Sequence, residues 1–86
     1  MITVVKPSTK QLEEINEWPI WEKESSQFDW KNDKDEMFYI IEGSANLSIT
    51  KGITQEINTG DLVTVKKDVI INWDITSYIR KNFKFF

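Results

Sequence analysis

The chain has 86 residues, of which 40% are hydrophobic and 13% aromatic, and its formal net charge is −3. This length predicts a single domain over residues 1–86, and a chain so short buries only about 60% of its unfolded surface. The acidic balance disfavours nucleic acid as a partner, because nucleic-acid-binding proteins present a basic face. No apolar run approaches the ~20 residues of a membrane span, and residues 1–10 lack a signal-peptide layout, so we expect a cytoplasmic protein without membrane contact.

Histidine and cysteine are both missing from the sequence. Their absence excludes Ser-His-Asp and Cys-His catalysis, disulfides and zinc-thiolate sites. Histidine is also the side chain that most often binds metals. Any metal would therefore have to be a hard cation held by oxygen ligands, and we expect no cofactor.

A short strand and a short helix are predicted before residue 20. Residues 2–5 are β-prone, and Pro7 ends this run because it cannot donate a hydrogen bond to a sheet. Ser8 or Thr9 can cap a helix, and Gln11 stands three residues after Ser8, as in a capping box. We therefore expect the helical content to be confined to the segment near residues 8–17.

From residue 20 onwards the chain reads as short β-strands separated by turns. Strands spaced by roughly 8–12 residues, with turn residues between them, are typical of an antiparallel sandwich or barrel. The predicted strands cover residues 27–31, 36–42, 45–50, 53–57, 62–65, 69–75 and 78–86, with turns at residues 32–35, 43–44, 51–52 and 58–61.

Several motifs in residues 18–86 resemble, in order and spacing, the cupin family that includes ureidoglycine aminohydrolase and ethanolamine-utilisation cupins. The chain is most similar to the short stand-alone bacterial members. The resemblance implies an all-β fold, a small antiparallel barrel (double-stranded β-helix or jelly roll), with one short N-terminal helix. The motifs are Trp18-Pro19-Ile20-Trp21, Phe28-Asp29-Trp30, Glu36 followed by Tyr39, Glu42 and Gly43, then Gly60-Asp61-Leu62-Val63-Thr64, Trp73 and Arg80-Lys81.

Three of the four metal-ligand positions of cupins hold other residues in this sequence. Metal-binding members carry a His-x-His pair upstream of a glutamate and a glycine, and a further histidine later in the chain. By the resemblance, the three histidine positions fall on Trp30, Asn32 and Ile71, and Glu36 alone matches a ligand. A single carboxylate does not hold a transition metal, so we predict the cupin fold without its metal.

Glu36 is the candidate catalytic residue. Strand alternation places it on one face with Phe38 and Ile40, and the resemblance implies that this face lines the barrel. A carboxylate held among apolar side chains is suited to act as a general acid or base. The alternative is a former metal ligand that is now hydrogen-bonded to Asn32 or Arg80 as a structural pair.

Two tryptophans and the aliphatic positions around them complete the candidate interior. Trp30 and Trp73 can form a stacking wall for a sugar or a flat ring, or they can fill the core. The candidate ligand-binding residues are Trp30, Asn32, Glu36, Phe38, Ile71, Trp73 and Arg80.

Arg80 and Lys81 are the candidate cations of the site. Neighbours on a strand point to opposite faces, so at most one of them enters the barrel. Arg80 is our choice, because its planar guanidinium suits a carboxylate or phosphate. It can instead be an ion-pair partner of Glu36 or Glu42.

A second apolar face on the 36–42 strand favours self-association. Met37, Tyr39 and Ile41 lie opposite the Glu36 face and can pack under the N-terminal segment or at an interface. A barrel of this size has little surface with which to cover them, and a symmetric pair is the commonest remedy, so we expect a homodimer.

The sequence supports three hypotheses of function and leaves open whether the protein is an enzyme. The first is a metal-free cupin that binds a small polar molecule in the barrel. The second is a metal-independent enzyme on a small anionic metabolite, with Glu36 as acid or base and Arg80 holding the anion. The third is a purely structural subunit. An open pocket favours the first two, and a filled barrel the third.

Overall fold

The computed structural model describes residues 2–49 and 52–86, which form six strands and one helix. The predicted all-β fold with one short N-terminal helix is confirmed. Thr50 and Lys51, where the sequence predicts the end of a strand and a turn, lie outside the described residues. The elements are β1 (Ile2–Val5), α1 (Thr9–Ile15), β2 (Ile20–Lys31), β3 (Glu36–Ile49), β4 (Ile53–Asn58), β5 (Leu62–Val65) and β6 (Ile70–Phe85).

Helix α1 begins with the capping box that the sequence predicts. The Ser8 side chain accepts from the Gln11 backbone N–H at 3.1 Å, and the Gln11 side chain accepts from the Ser8 backbone N–H at 2.8 Å. These bonds satisfy two of the backbone donors that a helix start leaves free. The helix has only seven residues, and no helix among the described residues is long and apolar enough to cross a membrane.

All strand pairings are antiparallel, and the hydrogen-bonded order is β1-β5-β3-β6-β2, with β4 pairing β3. Strands β3 and β6 are the longest, and each pairs with two or more neighbours. Within the described ranges no pairing joins β1 to β2, so the hydrogen-bonded order does not close on itself. The first residues of β3 pair with the last residues of β6, with Glu36 opposite Phe85.

Two breaks that the sequence predicts are absent. β3 continues through Gly43 and Ser44, and β6 continues from Ile75 to Tyr78, because register shifts absorb the irregularity without ending either strand. Gly43 has φ +96°, and a Cβ there would lie 2.0 Å from the carbonyl oxygen of Tyr78. Glycine is thus required at this position for close approach of two strands rather than for a turn.

The main core lies between the inner faces of the long strands. Trp73 and Phe38 are buried in it with aliphatic side chains from β3, β4, β5 and β6. Its buried members are Phe38, Ile40, Ala45, Leu47, Ile57, Val63, Val65, Ile71, Trp73, Ile75 and Ile79.

A second, smaller cluster lies on the opposite face of β3. Ile15 of α1 and Trp18 pack there with Leu62, and Met37 and Tyr39 are half-buried against them. The N-terminal segment therefore packs over Met37 and Tyr39, which is one of the two roles that the sequence leaves open for this face. The homodimer stays a prediction, and these two side chains no longer carry it.

Candidate functional site

A buried ion pair joins the start of β3 to the C-terminal half of β6. The Lys81 ammonium donates to Glu36 Oε2 at 2.9 Å, and the two side chains are only 8% and 5% exposed. Lys81 stands opposite Ile40 of β3 and Trp21 of β2, so its chain extends along the inner face toward Glu36. Two opposite charges removed from water in this way are tolerated only when each has a close partner.

The second oxygen of the Glu36 carboxylate is also occupied. Asn32 Nδ2 donates to Glu36 Oε1 at 2.8 Å, and Trp30 Nε1 in turn donates to Asn32 Oδ1. Asn32 is the buried residue of the β2–β3 connection, and its backbone carbonyl accepts from the Asp68 backbone N–H. The carboxylate thus has a fixed orientation, with partners that offset the cost of burying its charge.

Aromatic rings surround the Lys81 ammonium. Its Nζ lies 4.1 Å from the ring centroid of Phe38, 4.8 Å from Trp73, 5.0 Å from Trp21 and 6.0 Å from Phe83. Ring faces attract a cation, as does the Glu36 carboxylate. Burial acts in the opposite direction and is the larger effect, so the pKa of Lys81 is lowered from its ordinary value despite the nearby charge of Glu36.

A pocket of about 540 Å³ opens above this ion pair. Its volume lies within the range of small-molecule sites, and its walls are mainly aromatic. The Trp73 ring is stacked on Phe28 with the centroids 6.2 Å apart and the planes 3° from parallel. The lining residues are Trp21, Lys23, Ser26, Phe28, Trp30, Glu36, Trp73, Lys81, Phe83 and Phe85.

The structure places the sequence-predicted site residues at three depths. Trp30, Glu36 and Trp73 line the pocket, with Trp30 55% exposed and the other two nearly covered. Asn32 is buried behind Glu36. Phe38 and Ile71 belong to the core and do not line the pocket.

The choice of Arg80 as the inward-facing cation is wrong. Arg80 lies on the outer face, where it stands opposite Glu22 and Glu42 and approaches the Glu42 carboxylate at 3.8 Å. Its neighbour Lys81 enters the interior, as alternation along β6 requires when Trp73 also points inward. The flexible lysine stem reaches the pocket, while the guanidinium remains with the surface carboxylates.

Sequence reasoning did not place seven of the residues that line the pocket, namely Trp21, Lys23, Ser26, Phe28, Lys81, Phe83 and Phe85. Lys81 and Trp73 are an even number of residues apart, so they would share one face if residues 70–85 were treated as a single strand. Trp21 and Phe28 are an odd number of residues apart on β2, so regular alternation would place them on opposite faces, yet both line the pocket. The register shift between Glu24 and Ser26 lies between them, and simple alternation cannot anticipate it.

The residues at the cupin histidine positions do not fit a transition metal. Trp30 donates its indole N–H to Asn32, Ile71 is an aliphatic core residue, and Glu36 is already bound by Asn32 and Lys81. A cation at this carboxylate would have to displace the Lys81 ammonium. Within residues 2–49 and 52–86 there is no group of three acidic side chains that could form a separate site.

Comparison with known families and structures agrees with this fold. Residues 10–83 match the family of the EutQ-like cupin domain. A DUF861 family protein from Thermotoga maritima is 38% identical, with a TM-score of 0.94, and the alignment covers 100% of both chains. A search of curated proteins finds no match.

Two EutQ structures are more distant and support the fold alone. The Clostridium difficile EutQ protein is 24% identical, with a TM-score of 0.73, over 99% of this chain and 67% of that one. A putative EutQ from Salmonella typhimurium is 17% identical, with a TM-score of 0.71, over 99% of this chain and 68% of that one. The cupin fold predicted from residues 18–86 is confirmed.

Proposed function

This chain belongs to the EutQ-like cupin domain family, and we propose that it binds a small molecule in the aromatic pocket above Glu36 and Lys81. The observation that carries the proposal is the pocket itself: aromatic walls enclose about 540 Å³, with a buried ion pair at their base. Apolar walls supply affinity, and a few fixed polar groups supply orientation.

The shape of the walls indicates the class of ligand. Phe28 and Trp73 are nearly parallel, and Trp30 is exposed at the edge of the pocket, so flat rings can pack against ring faces. At the base, Lys81 donates hydrogen bonds and Glu36 accepts them. Because the pair is neutral overall, it favours an uncharged ligand with a carbonyl or hydroxyl group over a free anion.

The pocket favours binding over the purely structural role. A structural subunit would be expected to fill its interior with its own side chains, since apolar surface left open to water is unfavourable. The alternative enzyme hypothesis keeps Glu36 as a candidate acid or base, because this carboxylate borders the pocket. It loses Arg80 as the anion-holding residue, because Arg80 faces outward.

Two matched variants on β2 test the proposal. Ser26 lines the pocket, whereas its neighbour Ser25 is exposed and does not. Ser26→Phe should fill the pocket, and Ser25→Phe should leave it open. The probes are benzamide, benzyl alcohol and a set of small aromatic amides and alcohols, with binding read from tryptophan fluorescence and from the melting temperature.

We expect at least one probe to bind the wild-type protein and Ser25→Phe but not Ser26→Phe. Melting curves without probe establish that both variants are folded. If the wild-type protein responds to no member of the set, or if Ser26→Phe binds as well as Ser25→Phe, the proposal is wrong.

We further propose that the protein works in the cytoplasm without a transition metal and without nucleic acid. The net charge of −3 supports the absence of a nucleic-acid partner. The absence of a transition metal is supported by the side chains around Glu36, which offer too few metal ligands. Elemental analysis should find no stoichiometric zinc, iron, manganese, nickel or copper in the purified protein. Retention of about one equivalent after dialysis would contradict this.

A further inference from the structure

Lys81 is unlike every other lysine that the structure describes. The remaining lysines of residues 2–49 and 52–86 are exposed, including Lys23, which also lines the pocket, whereas Lys81 is only 6% exposed. A lysine amine is unreactive toward electrophiles while it carries a proton, and burial promotes loss of that proton. Glu36 Oε2, 2.9 Å from the nitrogen, is positioned to take it.

We propose that Lys81 is a nucleophile that forms an imine with an aldehyde or ketone bound in this pocket, with Glu36 transferring the proton. This rests on the proposed function, since the carbonyl compound occupies the same pocket. The inference adds a covalent bond to the proposed binding. It also names the substrate class, which is small aldehydes and ketones with an aromatic or other planar group. The lowered pKa of Lys81 agrees with this role.

The addition step begins with proton transfer from the Lys81 ammonium to the Glu36 carboxylate, which leaves a neutral amine beside a neutral carboxylic acid. The amine electron pair then forms a bond to the carbonyl carbon, and the C=O π electrons move to oxygen. Transfer of one proton from nitrogen to that oxygen gives a neutral carbinolamine.

The dehydration step returns the Glu36 proton. Glu36 protonates the carbinolamine hydroxyl, the C–O bond breaks, and water leaves as the nitrogen electron pair forms the C=N bond. The net change joins an ammonium and a carbonyl compound to give an iminium ion and water, and Glu36 ends as a carboxylate. Neither an oxidant nor a reductant is needed.

The surroundings of Lys81 suit the iminium product as well as the ammonium. Both are cations at the same nitrogen, so the Glu36 carboxylate and the faces of Phe38, Trp73 and Trp21 continue to balance the charge. Asn32 holds the other carboxylate oxygen at 2.8 Å and keeps Glu36 in place through the proton transfers. Lys84 also has a carboxylate and ring faces nearby, with Glu14 at 3.9 Å and the Phe86 ring at 5.7 Å, but it is exposed and does not line the pocket.

Reductive trapping of the wild-type protein tests the proposal directly. The protein is incubated with limiting benzaldehyde and sodium cyanoborohydride, which reduces an iminium to a stable benzylamine, and the adduct is located by peptide mapping. We expect the modified chains to carry a single benzyl group, predominantly on Lys81. Labelling spread over exposed lysines or the terminal amine, with Lys81 unmodified, overturns the inference.

Variants separate the roles of the two residues. Lys81→Arg should lose the site-specific adduct, and Lys84→Arg, which removes an exposed amine, should retain it. Glu36→Gln should slow trapping at Lys81 by about a hundredfold if Glu36 is the proton carrier. An unchanged rate in folded Glu36→Gln overturns that role, and if either variant at the ion pair fails to fold, the wild-type map still decides the site.

Benzamide distinguishes this inference from the proposed function, because an amide carbonyl does not form an imine under these conditions. Benzamide bound in the pocket should also slow trapping at Lys81 by competition. If benzamide or another probe of the set binds and Lys81 is never trapped, the imine is wrong and the binding function stands. If no probe binds and Lys81 is not trapped, both are wrong.

Discussion

At the scale of single residues, Glu36 is the centre of a hydrogen-bond network of three further side chains. Lys81 and Asn32 each donate to one of its oxygens, and Trp30 donates to Asn32. The cost of removing the carboxylate from water is therefore offset by a complete set of partners. Lys81 has no comparable set, because Glu36 is its one hydrogen-bonding partner among the described residues.

Glu36→Gln should destabilise the protein by about 3 kcal/mol, because it leaves the Lys81 ammonium buried without an opposite charge. The glutamine oxygen can still accept a hydrogen bond, which keeps the loss moderate. Urea unfolding at neutral pH measures the change. Glu42→Gln is the matched control, since the exposed pair with Arg80 at 3.8 Å should contribute no more than about 0.5 kcal/mol.

Equal losses in the two variants would contradict a buried ion pair at Glu36. A stabilising Glu36→Gln would instead mean that the carboxylate is held at a cost to the fold, as is frequent at functional sites.

The lowered pKa of Lys81 predicts a stability that rises with pH. Between the folded-state pKa and the unfolded value of 10.5, the unfolded chain binds more protons at this residue than the folded one does. The free energy of unfolding due to Lys81 therefore increases through this window, and the burial cost is largest below it.

Comparison of the wild-type protein with the double variant Lys81→Met/Glu36→Gln isolates this contribution, because other titrating groups are common to both. Urea unfolding at pH 7 and pH 10 should show the difference in stability shifting in favour of the wild-type protein at the higher pH. A shift in favour of the double variant would mean that Glu36 and the rings outweigh burial.

At the scale of elements, the irregularities of β3 and β6 shape the pocket as much as their regular pairing does. The register of β3 against β6 shifts around Gly43, and that of β2 against β6 shifts between Glu24 and Ser26. Such shifts change which residues share a face and increase the twist of the strands. The second shift accompanies the arrangement of Trp21 and Phe28 around one pocket.

Gly43→Ala should destabilise the protein by about 3 kcal/mol, because the new methyl group would meet the Tyr78 carbonyl and the backbone would be strained at φ +96°. Gly52→Ala is the control, with φ +79° and no atom within 4 Å of the added carbon. It should lose only about 1 kcal/mol, from the backbone conformation alone. Thermal and urea unfolding measure both, and similar losses would contradict a steric role for Gly43.

At the scale of the whole molecule, the distribution of apolar surface bears on assembly. The N-terminal segment covers Met37 and Tyr39, so one face of β3 is largely protected within the monomer. Large apolar side chains remain exposed elsewhere, including Ile20, Trp30 and Ile70. A small domain that leaves such groups in water can gain burial by association.

We therefore retain the prediction of a homodimer, now carried by these exposed side chains and not by Met37 and Tyr39. Light scattering coupled to size exclusion at micromolar concentration should give twice the 10.2 kDa mass of the chain. The monomer mass across that concentration range would contradict the prediction.

The sequence by itself determined the all-β class, the capped N-terminal helix, the missing metal ligands and the inward placement of Glu36. The all-β class and the capped helix depend on local rules, period-2 alternation and a Ser8–Gln11 capping box, each of which can be read over a few residues. The missing metal ligands and the inward placement of Glu36 follow from the resemblance of the surrounding motifs to cupins. The sequence therefore also identified Trp30 and Trp73 as pocket candidates.

Only the tertiary structure decided that Lys81 and not Arg80 pairs with Glu36, and that Trp21, Phe28 and Phe83 complete the pocket. Glu36 and Lys81 are 45 positions apart in the sequence. They meet because the first residues of β3, Glu36 to Ile40, pair with residues 85 to 81 of β6 without a register shift. The register shifts then determine which alternate residues of each strand point into the interior. Shifts of this kind depend on contacts between distant strands, and no local pattern in the sequence specifies them.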